Sequence, residues 1–156
     1  MDELDSFDKK ILALLQNNGR MTITELAGNV GLSKTPCQLR VKRLESNGYI
    51  LGYRADIDPV KVGAGHIAFV QVTLSDTRSK SLEAFNSAAR AIPEIEQCHM
   101  IASDFDYLLK VRTKDIASYR RVLGEKISAM PFVAQTSTFV CMEPVKETNR
   151  ISSPTP

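Results

Sequence analysis

The sequence predicts an α+β chain: a three-helix unit, then a βαββαβ unit whose four strands make one antiparallel sheet. Three observations carry this. Up to Gly48 the apolar residues recur at helical spacing, interrupted by short turns at Gly19 and Gly31. From His66 onward, strand-like runs rich in β-branched and aromatic residues alternate with helical patterns in the order strand, helix, strand, strand, helix, strand. Between the halves, Pro59 and Gly63-Ala64-Gly65 mark a linker.

Each element has its own warrant. Asp5 is placed to cap a first helix in which Phe7, Ile11, Leu14 and Leu15 share a face until Asn17-Asn18-Gly19 ends the pattern. Thr22 or Thr24 can cap a second, short helix with Ile23, Leu26, Ala27 and Val30 inward. Gly31 stops it and permits a sharp turn, because glycine tolerates positive φ. Ser33 then caps a third helix, with Pro36 in its first turn, where a missing N–H does little harm. Cys37, Val41 and Leu44 form its inner stripe, and Asn47-Gly48 ends it. Residues 49–58 carry strand-like side chains around Gly52 and read as a small hairpin or wing.

In the second half, residues 66–74 read as a strand. Leu82, Phe85, Ala89 and Ile92 mark a helix that ends before Pro93. Residues 95–102 and 106–113 read as two strands around the turn Ser103-Asp104-Phe105. Ile116, Tyr119, Leu123, Ile127 and Met130 mark a second helix stopped near Pro131, and residues 133–142 make the last strand. This split βαββαβ order puts both helices on one face of the sheet. The expected organisation is a helical unit with wing and linker over residues 1–64, a sheet unit over 65–148, and a polar, disordered tail over 149–156.

Composition narrows the class. At 156 residues, 43% apolar and 24% charged, the chain has room for one ordinary domain or two small ones, in the balance of a soluble globular protein. A net charge of +2 makes it nearly neutral, so any polyanion partner must be met by a local cluster of cations. No apolar run approaches the roughly 20 residues that cross a bilayer, and the acidic start MDELDSFDKK lacks a signal core. Three scattered cysteines without a CxxC pair suit reduced thiols in the cytoplasm.

That local cluster lies on the third helix. Three short helices with a tight glycine turn before the third suggest a helix-turn-helix, which sets the third helix in the major groove of DNA. From Ser33 to Arg43 the chain carries Lys34, Arg40, Lys42 and Arg43 and no acid. With Cys37, Val41 and Leu44 inward, Lys34, Thr35, Gln38 and Lys42 point outward. Gln can read adenine bidentately, and Lys can pair with guanine or with phosphate. Arg20, before the second helix, and Arg54, in the wing, are candidate backbone contacts. On periodicity alone, a solvated basic face fits equally well. The Gly31 turn, the Ser33 cap and the acid-free helix favour DNA.

Longer motifs sharpen the reading. Residues 24–37, TELAGNVGLSKTPC, followed by Arg40-Val41 and Arg43-Leu44-Glu45, resemble the DNA-binding half of the Lrp/AsnC feast/famine transcription regulators. Residues 103–111, SDFDYLLKV, with Tyr119-Arg120 and residues 140–143, VCME, resemble the regulatory half, and the similarity is to the leucine-responsive branch. The resemblance implies a winged helix-turn-helix joined to a ferredoxin-like domain that binds amino acids and dimerises, the dimers assembling into tetramers or octamers. It implies DNA contacts among Arg20, Ser33, Lys34, Thr35, Pro36, Gln38, Arg40, Lys42, Arg43 and Arg54. It implies an effector site at Met100, Ile101, Ala102, Ser103, Asp104, Asp106 and Tyr107, with Gln135, Thr136, Ser137 and Thr138 facing it from a neighbouring protomer. The chain has Ser103 after Ala102 where the family usually has glycine, and this departure bears on which effector is accepted.

The residues can be read without the resemblance. On the first strand Ala68, Val70, Val72 and Leu74 lie on one face and Ile67 and Phe69 on the other. One face meets the helices, so the other needs a partner subunit; a smaller contact with the helical half is the alternative. A free amino acid needs an acceptor for its ammonium group, which Asp104 or Asp106 could supply, and donors for its carboxylate, such as turn N–H groups or the Ser103 hydroxyl. On their own, these residues equally suit plain turn building.

Enzyme chemistry finds little support. His66 and His99 are the only histidines, and Cys98 and His99 are neighbours on a strand, so their side chains point to opposite faces. Gly63-Ala-Gly-His-Ile-Ala68 matches a dinucleotide fingerprint by letter, but it precedes a strand instead of following one. Zinc-ligand spacing is missing, and each cysteine reads as a small buried hydrophobe. The sequence therefore points to a cytoplasmic, nucleoid-associated DNA-binding regulator of amino-acid metabolism. No metal, cofactor or membrane partner is expected, and the resemblance implies an amino-acid effector, leucine by default or another such as proline. The rivals are an architectural DNA-wrapping protein without effector and an allosteric amino-acid-binding subunit of an enzyme.

Overall fold

A computed structural model describes residues 4–152. Two compact units emerge: residues 57–145, and the residues up to Asp56 together with those from Lys146 onward.

In the first unit α1 spans Ser6–Asn17, α2 Ile23–Val30 and α3 Lys34–Ser46. The first two open on capping boxes. The Asp8 N–H donates to Asp5 Oδ1 at 2.9 Å while the Asp5 N–H donates to Asp8 Oδ2; Thr22 and Glu25 repeat the exchange on α2. Gly31 closes α2 at φ 78°, where a Cβ would be strained, and Leu32 N–H returns to the Ala27 carbonyl at 2.9 Å. Ser33 starts α3 by its backbone alone. The cap's usual donor is the N–H at the third helical position, which here is Pro36 and has none, so the hydroxyl makes no bond to the helix. Ile11, Leu26, Ala27, Val30, Cys37, Val41 and Leu44 are buried together.

The expected wing is not a hairpin: residues 51–57 carry no regular structure, and among the described residues this unit has no strand. The arms on either side of Gly52 are only a few residues long and lack a two-residue hairpin turn, too little for a stable ladder. Tyr53 instead lies back along α3, its hydroxyl donating to Glu45 Oε1 at 2.9 Å; burial and that carboxylate push its phenol up to about 12. The tail also departs from the expectation of disorder. Gln16 and the Ile151 backbone exchange hydrogen bonds of 2.8 and 3.0 Å, and Arg150 reaches Asn17 at 3.3 Å. The expectation for residues 153–156 lies outside the described residues.

The second unit runs β1 (His66–Leu74), α4 (Ser79–Ala91), β2 (Ile95–Met100), β3 (Tyr107–Thr113), α5 (Ile116–Val122) and β4 (Val133–Val140). All pairings are antiparallel and the strand order is β2-β3-β1-β4, so each long strand is flanked by one that is not its chain neighbour. Ala68, Val70, Val72 and Leu74 of β1, with Tyr107, Leu109 and Val111 of β3, turn to Phe85, Ala89, Tyr119 and Val122 of the helices. The last helix is shorter than predicted. After Val122 a π-helical turn takes over at Leu123–Ile127. Val122 and Ile127 are five residues apart and both buried, and α-helical winding would swing one away from the core. Ile116, expected inward, is exposed. The linker also belongs here rather than to the helical unit: residues 57–64 join the sheet unit, and Arg112 donates to the Ala64 carbonyl at 3.2 Å.

Candidate nucleic-acid interface and small-molecule pocket

The basic cluster on α3 divides in two. Arg40 donates to Asp5 Oδ2 at 2.7 Å and Asp8 Oδ1 at 2.8 Å, with its guanidinium 5.3 Å from the Phe7 ring; Arg43 donates to Asp8 Oδ2 at 2.5 Å. The Asp8 carboxylate is 0% exposed, a position a charge holds only when its oxygens are met by donors. Arg40 and Arg43, expected as groove contacts, therefore act here as struts that tie α3 to α1. Their acids sit far upstream, where no local charge count along α3 reveals them.

Lys34, Thr35, Gln38 and Lys42 are exposed on the side of α3 away from these arginines, Pro36 is exposed in its first turn, and among the described residues neither lysine pairs with an acid. Ser33 stands exposed at the N-terminus of the helix. Arg20 is exposed in the α1–α2 loop and Arg54 in the irregular segment. Leu39 lies on the same outward side at 63% exposure, an apolar residue that carried no signal among the polar side chains of that face.

The split sets a contrast that can be measured. Lys42→Ala is expected to leave the melting temperature unchanged while weakening binding to all duplexes alike and lowering the salt slope by about 0.9. Arg43→Ala is expected to lower the melting temperature first. Equal melting temperatures for the two variants would remove the strut assignment.

The other site lies on the sheet face away from the helices. There Gln71 faces Ser137 and Thr73 faces Gln135 across the β1–β4 ladder, and residues in register share a face. With Asp104 and Phe105 of the β2–β3 turn they line a cavity of about 220 Å³. Its groups are one carboxylate, two carboxamides, two hydroxyls and one ring, without a cation. The size suits a molecule no larger than a single amino acid.

Of the expected effector residues, Asp104, Gln135 and Ser137 meet at this cavity, and Ser103 donates to Asp104 Oδ1 at 2.9 Å. The others do not join them. Asp106 anchors the turn: its carboxylate accepts from the Leu74 N–H at 2.7 Å and its own N–H donates to the Val72 carbonyl at 3.0 Å. Tyr107 is buried on the helix side, its ring 4.3 Å from that of Phe85. Thr138 shares a hydrogen bond with the Tyr119 hydroxyl on that side, where its neighbour-but-one Thr136 also lies, opposite Val72. Met100 pairs with Tyr107 and is exposed; Ile101 bonds back to Asp106, and Ala102 is exposed in the turn. Gln71, Thr73 and Phe105 were missed. The first two were legible as the point where the apolar alternation Ile67, Phe69 breaks on β1.

A second concavity, between α4 and β2, contains none of the expected residues; Arg90, Glu96 and Cys98 are among its lining. Cys98 is exposed, so the reading of every cysteine as buried fails there, although Cys37 is buried in the helical core and its thiol is pushed up by that burial. Among the described residues, no three His, Cys, Asp or Glu side chains gather to hold a metal ion. Nor is any of their helices long and apolar enough to cross a membrane.

Both units have counterparts among known proteins. Residues 67–151 match the family model of the Lrp/AsnC ligand binding domain, and residues 4–50 match that of a winged helix-turn-helix DNA-binding domain. The chain is 64% identical over 147 residues to a proline dehydrogenase transcriptional activator of Rhizobium radiobacter, covering 94% of each. It is 46% identical over 149 residues to a leucine-responsive regulatory protein of Klebsiella pneumoniae, covering 96% of this chain and 91% of that one. Among solved structures, an AsnC family transcriptional regulator from Agrobacterium tumefaciens superposes with a TM-score of 0.90 at 32% identity, covering 96% of this chain and 97% of that one. A transcriptional regulator from Neisseria meningitidis in complex with L-Met does so with a TM-score of 0.88 at 31% identity and the same coverage.

Proposed function

The chain belongs to the Lrp/AsnC family of transcription regulators, and from that premise we propose that it activates a proline-catabolic gene when proline fills the cavity on its sheet face. The observation that carries this is the meeting of Asp104, Gln135 and Ser137 with Gln71 and Thr73 at one cavity of amino-acid size. Asp104 receives the ammonium group and is oriented by Ser103; the carboxamides and hydroxyls donate to the carboxylate. The relative at 64% identity bears the name of a proline dehydrogenase activator, which favours proline over leucine.

Two copies cover each other's open sheet faces, which sets the cavity at the contact within the dimer, and dimers join into tetramers or octamers. A ligand caught there shifts the population of assembled states by its difference in affinity between them, and DNA affinity follows. The regulator works on cytoplasmic, nucleoid DNA, through Gln38 on bases and Lys34, Lys42, Arg20 and Arg54 on phosphates.

Calorimetry with proline, leucine and methionine on the wild type and on Asp104→Ala tests the pocket. Expected is binding of proline by the wild type and its loss by at least tenfold in the variant, with DNA binding in the absence of ligand intact. Equal proline affinities would place the effector elsewhere, and no response to any amino acid would favour the architectural reading. A separate expectation concerns bases: Gln38→Ala should weaken specific binding by about 1–3 kcal/mol and relax preference at one position of a randomised library.

A further inference from the structure

The DNA-facing side of α3 holds an apolar residue at its centre. Thr35, Leu39, Lys42 and Ser46 follow the i, i+4, i+7, i+11 spacing of a single helix face, and all are exposed. The inner stripe of Cys37, Val41 and Leu44 is buried on the opposite side. Leu39 is 63% exposed, bracketed one turn away by a hydroxyl on one side and a free ammonium on the other, with the Gln38 carboxamide beside it. A lone exposed leucine elsewhere on a surface would mean nothing. Here it stands where a helix-turn-helix presents side chains to base edges. The apolar group on the major-groove edge of a base pair is the thymine C5-methyl, and the partner adenine offers the N6–H and N7 pair that Gln reads.

We propose that Leu39 packs on a thymine methyl in the major groove and, with Gln38, gives the operator half-site an A·T preference. The inference rests on DNA reading by α3. Leu39 makes no buried contact within its unit's core, so Leu39→Ala leaves the fold intact.

The test uses the full chain and the duplex it recovers from a randomised library. Each thymine is replaced in turn by deoxyuridine, which lacks only the C5-methyl. At one thymine per half-site, deoxyuridine is expected to weaken wild-type binding about fourfold, the worth of one buried methyl-sized group, and to leave Leu39→Ala unaffected. The proposal is overturned if the wild type ignores deoxyuridine at every thymine, or if Leu39→Ala keeps the wild-type profile. Sedimentation run in parallel adds a further overturning outcome: loss of assembly by Leu39→Ala with the deoxyuridine profile unchanged assigns the residue to a subunit contact. A wild type that recovers no duplex at all sinks DNA reading itself, and this inference with it.

Discussion

Asp8→Ala is expected to cost the helical unit about 3–5 kcal/mol, because it removes a buried carboxylate that accepts from three donors, each hydrogen bond to a charged group being worth about 1.5–3 kcal/mol. Asp8 serves three donors: Arg40, Arg43 and the Asp5 N–H. Its removal therefore breaks the Arg43 strut, leaves Arg40 with Asp5 alone and takes half of the α1 capping box at once. For a unit of this size each kcal/mol moves the midpoint by roughly 4–8 °C, so a fall of about 15 °C or more should appear in thermal melts. Asp8→Asn keeps the volume and an acceptor for the Asp5 N–H but drops the charge, and should fall between the wild type and Asp8→Ala. A loss below about 1 kcal/mol for Asp8→Ala would reduce the cluster to an ordinary surface pairing. The same cluster sets an acid limit. The Asp5 carboxyl is held below its usual value, first by the Asp8 N–H and then by Arg40. A carboxyl lowered on folding stabilises fully above its unfolded value near 3.8 and loses that contribution as pH falls through the lower folded one. Acid titration of the wild type should show this loss beginning at about pH 4, and Asp5→Ala should flatten that part of the curve.

The elements were legible in the sequence because caps, glycine turns and periodicity agreed along most of the chain. What escaped was settled by partners distant in sequence. Arg40 and Arg43 look like phosphate contacts on a helical wheel, and only the packing of α1 on α3 brings Asp5 and Asp8 to them. The residues around Ser103 read as one polar cluster, but a strand sends alternate side chains to opposite faces, so Tyr107, Thr136 and Thr138 point away from the cavity. Asp104 and Asp106 were interchangeable as letters. Register separates them, since the Leu74 N–H claims Asp106. The π-helical turn was hidden because Tyr119, Leu123 and Ile127 keep ordinary four-residue helical spacing, and only the burial of Val122 with Ile127 shows the change of winding.

Phe139→Asp is expected to dissociate the assembly while leaving each copy folded. On the sheet face away from the helices, Phe69 and Phe139 sit opposite each other across the β1–β4 ladder, and Phe139 is 52% exposed. Nothing in its own unit's core depends on that ring. If a second copy covers this face about a two-fold axis, each substitution acts twice, because the same patch is used on both sides. Phe139 has about half its surface left to bury, worth about 0.8–1.5 kcal/mol, so the pair is worth roughly 1.5–3 kcal/mol per dimer, a factor of about 10 to 10² in the dissociation constant. The introduced carboxylate adds a desolvation cost in the same direction. Sedimentation at micromolar concentration should therefore find monomer, with an unchanged circular dichroism spectrum. Specific DNA binding should fall with it, since two half-sites are then bound by unlinked copies. Phe139→Leu, which keeps the apolar contact, should remain assembled. A Phe139→Asp protein that stays dimeric at the same concentration would show that this face is covered by something other than a second copy.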